Sequence, residues 1–172
     1  MSDFGAGAVK LWFQNPRHDY PFHSDWSTLP QHPRLIDMAK HPYFLEAFEF
    51  PFSTFALEIT HLLGVRDFYE KENDFHEYEE QFEELTAWLY EKYAERDVTF
   101  ILQNWEGDWL FRSSYAAEWS DEMLASLPDK TDRFMRWFAA RQRGLEKARN
   151  TALAKGSSRC RVMHAVEVNR VL

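Results

Sequence analysis

The sequence predicts an α/β fold, an arc of a (β/α)8 TIM-barrel-like architecture carrying about four parallel strands. Three observations carry that prediction. Short apolar, β-rich segments alternate along the chain with longer segments of helical periodicity, an order that calls for parallel strands joined by right-handed crossovers. No glycine-rich phosphate turn follows any of these strands, as a doubly wound nucleotide fold would require. Polar residues gather where the strands end, and in barrels that end carries the function.

The first strand is expected over Val9 to Phe13, followed by a structured loop in "QNPRHDYPFHSDWSTLPQHPR", where Pro, His, Asp and aromatic residues accumulate. Pro33 then sets up a helix over Arg34 to Lys40, with Leu35, Ile36, Met38 and Ala39 on its apolar face, and Pro42 ends it. A second strand is expected over Thr54 to Thr60, mostly apolar and so covered on both faces. After a polar connection, Phe82, Leu85, Leu89 and Tyr93 recur at three- and four-residue spacing and predict a helix from His76 to Glu95. The acidic residues between them read as its solvated face rather than as a cation site.

Val98 to Gln103 forms the third strand, and "SYAAEWSDEMLASLPDK" reads as a loop. The next helix is predicted from Thr131 to about Ala154, capped by Thr131 or Asp129, with Phe134, Trp137, Phe138, Leu145 and Ala148 on one face. Gly156 and two serines stop it, and "CRVMHAVEVNRVL" supplies a fourth strand. Because that strand is apolar and no closing helix follows it, residues 1–172 are expected to be a single, partial barrel domain of a longer protein. An open sheet edge of this kind also predicts a tendency to self-associate.

Composition narrows the partners. A 45% hydrophobic share with 17% aromatic residues supports a real core, and a formal net charge of −8 without clustered Lys or Arg argues against nucleic acid. No apolar stretch is long enough to span a bilayer, and the N-terminus lacks a basic segment followed by a long apolar run, so no membrane and no signal peptide is expected. The single cysteine, Cys160, begins a strand and cannot form an intrachain disulfide. The histidines show no HExxH or HxH spacing, so neither a metal nor another cofactor is expected, and no GxSxG nucleophile turn occurs.

The densest chemistry lies at the end of the third strand, in "TFILQNWEGDWLFR". Alternation puts Phe100, Leu102, Asn104 and Glu106 on one side, and if that side faces the barrel axis, Asn104 and Glu106 meet at its mouth. A carboxyl flanked by Trp105 and Trp109 is expected to be partly shielded from water, the condition under which a glutamate works as a general acid. Aromatic faces carry the apolar faces of sugars, and carboxylates and amides bond their hydroxyls, so the combination points to carbohydrate. Glu167 and Asn169 share a face of the fourth strand and could reach the same site, or Glu167 could pair with Arg161, Arg170 or Arg112. Glu58, the other acidic strand residue, reads more readily as part of a buried ion pair. "HDYPFHSDW" could wall the cleft with Tyr20, Phe22 and Trp26.

With "TFILQNWEGDW" at a strand end, the chain resembles the TIM-barrel glycoside hydrolase superfamily, whose retaining clan places an Asn followed by a catalytic Glu at the end of the fourth barrel strand. The resemblance implies that Glu106 is the general acid/base, and the strand-end reading adds Asn104, Trp105, Asp108, Trp109, Glu167 and Asn169 as the expected carbohydrate site. Here Trp105 stands between Asn104 and Glu106. The clan's nucleophile lies on the seventh strand, beyond the strands seen here, and a retaining mechanism needs that second carboxyl about 5–5.5 Å from the first. The alternatives are a non-catalytic carbohydrate-binding or scaffold protein on a barrel remnant, and a small α/β enzyme of unrelated chemistry.

Overall fold

A computed structural model of the protein describes residues 5–22, 25–67, 74–108 and 120–168. Four strands, β1 (Ala8–Trp12), β2 (Thr54–Glu58), β3 (Val98–Gln103) and β4 (Cys160–Ala165), form one all-parallel sheet in the spatial order β1-β2-β3-β4. Since every crossover steps in the same direction, right-handed connections put all the helices on one face of the sheet. Register aligns Trp12, Glu58, Gln103 and Ala165 in a row at its carboxyl end.

On the helix-bearing face, Phe13, Phe55, Leu57, Phe100, Leu102 and Val162 are buried. Helices α2 (Leu35–Lys40) and α3 (Pro42–Glu49) cover its first half, and Phe48 meets the rings of Phe55 and Phe100 edge-on at 5.5 and 5.4 Å. Helix α4 (His76–Lys92) buries Phe82, Leu85 and Leu89, as its periodicity foretold, together with Tyr78, and Tyr93, the fourth residue of the expected stripe, is buried just past its end. Helix α5 (Asp121–Lys155) lies against α4 through Trp137, Ala140, Gly144 and Leu145. A Cβ at Gly144 would sit 2.1 Å from the backbone oxygen of Glu79, so only glycine lets the two helices approach this closely. Beside that contact, Arg143 pairs with Glu79 at 2.8 Å and Lys147 with Glu83 at 2.6 Å.

Several element boundaries differ from expectation. Pro42 ends α2 but also starts α3 at its first helical position, where its missing N–H costs nothing, and His41 Nδ1 caps the new helix by accepting the Tyr43 N–H at 3.3 Å. The loop after β1 holds a four-residue helix, α1 (Pro16–Asp19), and a single 3₁₀ turn at Trp26–Thr28. Strand β2 stops at Glu58, α4 at Lys92 and β4 at Ala165, each short of its predicted end. Helix α5 begins ten residues before Thr131, with Pro128 inside it, so neither Asp129 nor Thr131 is a cap. Its first turns carry the exposed Leu124 and make no apolar stripe, which is why periodicity did not announce them.

The opposite face of the sheet carries Lys10 and Trp12, then Thr54, Ala56 and Glu58, then Thr99, Ile101 and Gln103, then Arg161, Met163 and Ala165. None of the helix contacts described above is made on this side. Lys10 Nζ, on edge strand β1, reaches the carboxylate of Glu167, just past β4 on the other edge, at 2.6 Å, and Gln103 Nε2 donates to the same oxygen. Lys10 lies beside the small Ala56 in register, which leaves room for its side chain to cross the sheet. No described helix is long and apolar enough to cross a membrane.

Candidate functional site

At the end of β3, Phe100 and Leu102 face the helices, opposite to the side on which sequence alternation was expected to build the mouth. Asn104 follows them inward and is fully buried. Its Nδ2 donates to the Glu167 carbonyl at 3.1 Å and its Oδ1 accepts the Glu167 N–H at 3.4 Å, while the Gly107 N–H donates to the same carbonyl at 2.6 Å. The amide thus stitches the end of β3 to the chain leaving β4 and is spent on that task. Asn104 and Glu106 do not meet on a common strand face, because the strand ends at Gln103.

The open side receives the other set of residues. Trp105 follows Gln103 there and packs against Trp12 of β1 with ring centroids 6.4 Å apart, tilted by 45°. Glu106 is half-buried next to it, and Asp108 is buried. The Glu167 carboxylate is held by Lys10 and Gln103, so among the described residues its ion-pair partner is a lysine on the far strand and not Arg161, which pairs with Asp97 at 3.1 Å. Trp109, Asn169, Arg112 and Arg170 lie outside the described residues, as does His23.

Behind the tryptophans sits Glu58, 0% exposed at the last position of β2. Its Oε1 accepts the Thr60 hydroxyl, whose oxygen in turn accepts the Trp105 backbone N–H at 2.7 Å. Oε2 is buried with no hydrogen-bond partner among the described residues. Burial pushes the carboxyl above its ordinary range, and the Thr60 bond and the charge of Lys10 only partly oppose that. No ion pair forms at Glu58 among the described residues, so the expected buried pair is replaced by a carboxyl that keeps its proton more readily.

Next to Trp12, an open cleft of about 510 Å³ lies between the carboxyl ends of β1 and β2. Trp12, Gln14, His18, Asp19, His61 and Leu63 are among its walls. Gln14 Oε1 accepts the backbone N–H groups of Thr60 and His61 at 3.0 and 3.1 Å, pinning the chain as it leaves β2. Two histidine–aspartate pairs face this space: His61 Nδ1 lies 2.5 Å from Asp67 Oδ1, and His18 Nδ1 lies 3.0 Å from Asp19 Oδ1. Asp19 also accepts the Asn15 N–H at 3.0 Å and thereby ties α1 to the end of β1. Of the proposed aromatic wall, Trp26 is instead buried against His41 at 4.7 Å, Tyr20 is half-buried, and Phe22 stands fully exposed.

Sequence reasoning centred on β3 and missed Gln14, His61 and Asp67. The only signal was "LEITH" at a strand end, since Asp67 reaches His61 from six residues away with no motif to mark the pair. Among the described residues, no group of three or more His, Cys, Asp or Glu side chains is placed to hold a metal ion. What the arrangement offers is an aromatic pair above a shielded carboxyl, with a polar, histidine-bearing cleft beside it. Comparison with family models, curated proteins and solved structures found no match to this chain.

Proposed function

We propose that this chain is an arc of a (β/α)8 barrel that binds carbohydrate at the carboxyl ends of its strands, as a glycoside-hydrolase-like protein with Glu106 as general acid/base. A sequential order of parallel strands with helices on one face is what an arc of such a barrel has. The observation that carries the functional reading is the Trp12–Trp105 pair, two rings 6.4 Å apart, one at the end of β1 and the other just past β3. Such rings stack on the apolar faces of sugars, and Glu106 follows one of them directly. Trp105 and Asp108 then shape the sugar site, to which Trp109, outside the described residues, is assigned from the sequence alone. Asn104 and Glu167 contribute by fixing the end of β3, and Asn169, outside the described residues, is assigned to the site from the sequence alone.

Carbohydrate binding without turnover is the second reading. It is favoured by the state of two other carboxyls at the strand ends: Glu58 is sealed and Glu167 is engaged by Lys10 and Gln103, so neither is free to serve Glu106 as a second carboxyl. Binding of the full-length protein to a broad glycan panel decides the shared premise. Trp12→Ala with Trp105→Ala should weaken binding at least tenfold, while Glu106→Gln should keep binding and abolish hydrolysis of a bound glycan. No sugar bound anywhere on the panel defeats the proposal, and binding with no turnover to lose turns it into the second reading.

A further inference from the structure

The cleft beside the tryptophans holds a group that the reading above does not use. His61 leaves β2 three residues past Glu58, its backbone fixed by Gln14 at 3.1 Å. Its Nδ1 faces Asp67 Oδ1 at 2.5 Å, and a carboxylate at that distance fixes the tautomer with the proton on Nδ1. Nε2 is then an acceptor, and among the described residues it makes no hydrogen bond. The side chain is 41% exposed and its ring lines the cleft, while Asp67 is half as exposed at 21%. A basic nitrogen held in place from behind, on a partly exposed ring that lines an open cleft of about 510 Å³, is the arrangement of a general base.

We propose that His61 is the base that activates water in this site, with Asp67 as its positioning residue, on a substrate whose sugar ring lies against Trp12 and Trp105. The proposal rests on the carbohydrate reading. Nε2 takes a proton from water while the oxygen of that water forms a bond to the anomeric carbon. The glycosidic C–O bond breaks in the same step, and the departing oxygen takes the proton of the Glu106 carboxyl. Afterwards the imidazolium of His61 loses its proton to solvent, the Glu106 carboxylate regains one, and both groups are reset. One displacement by water inverts the anomeric centre, and no second carboxyl is required, which fits the engagement of Glu167 and the sealing of Glu58.

The test uses the full-length protein and a panel of 4-nitrophenyl glycosides, with the product anomer read by NMR on the substrate turned over fastest. His61→Gln is expected to lower kcat by about a hundredfold or more with KM changed less than threefold, the size of effect a positioned base supplies. Asp67→Asn should lower kcat about tenfold, also with little change in KM, and Asp67→Glu should recover part of it. Because His61→Gln could perturb the loop, His61→Gly is assayed with added imidazole, and recovery of rate with imidazole concentration supports the proposal. Hydrolysis that survives His61→Gln within threefold, or that gives the retained anomer, overturns the role of His61 and leaves the carbohydrate reading standing. If no glycoside on the panel is turned over, the role of His61 falls; only a glycan panel that also shows no sugar bound removes the carbohydrate reading with it.

Discussion

One residue of shift along any strand of this sheet moves a side chain between two different environments. On the helix side, Phe55 and Phe100 stack at 5.4 Å and are closed over by Phe48 and Tyr93, while the α4–α5 pair lies against β4. On the other side the neighbouring residues, Thr54, Ala56, Ile101 and Met163, are half-buried or exposed, and polar groups are tied to each other across the strands. The helix side therefore carries the stability and is chemically inert. The open side contributes little packing, and the polar and aromatic groups that could recognise a ligand stand on it or just beyond its carboxyl end.

The sharpest contrast is between adjacent residues of β3. Phe100→Ala removes a ring packed among Phe48, Phe55 and Tyr93, and should cost about 3–5 kcal/mol in denaturant unfolding. Ile101→Ala, on the open face, should cost about 1 kcal/mol, since it loses only part of its apolar area to begin with. Equal losses would mean that the open face is packed as tightly as the other and would erase the division.

How much of this division could be read from the sequence depends on the strand. Val98–Gln103 is recovered with both ends correct, because six β-prone residues between two polar ends leave little choice. Its sidedness is not recoverable, since Thr99 and Ile101 are as compatible with burial as Phe100 and Leu102, and the face holding Asn104 was assigned to the wrong side. Helix α3 is hidden by Pro42, which reads as a terminator although it also starts a helix, and the first turns of α5, around Pro128, carry no apolar stripe to announce them. At the candidate site the β3 cluster was visible as local composition. The Trp12–Trp105 pair and the His61–Asp67 pair were not, because each depends on strand register or a returning loop.

Each side also hides one titratable group, and the two should respond to pH in opposite directions. Glu58 is raised by burial above 4.5, so the folded chain holds a proton that the unfolded chain gives up; stability from this group is full below pH 4.5 and falls as pH rises through the raised value. His164, on the helix side, is pushed down from 6.5 to about 2 by burial and by the charge of Arg141. Its contribution is full above pH 6.5 and is lost as pH falls from there towards 2. Glu58→Gln should therefore gain on the wild type as pH rises from 4.5, and His164→Gln should lose the acid-side decline, both read from Tm against pH. Curves parallel to the wild type in both variants would show that neither group changes its proton affinity on folding.

The smallest effect tests what joins the two edges over the open face. Lys10 and Glu167 meet at 2.6 Å with side chains 41% and 30% exposed, so solvent screens the pair and its net worth is about 0.5 kcal/mol. Lys10→Ala alone would mix that term with the loss of the lysine stem lying across Ala56. A double-mutant cycle with Lys10→Met and Glu167→Gln keeps both stems and isolates the pairing. A coupling energy near 0.5 kcal/mol that shrinks in 1 M salt places the two edges in contact in solution, because Lys10 can reach Glu167 only across β2 and β3. Zero coupling at low salt would mean that the open face is not drawn together, and with it would go the side-chain bridge that links the Trp12 strand to the end of β3.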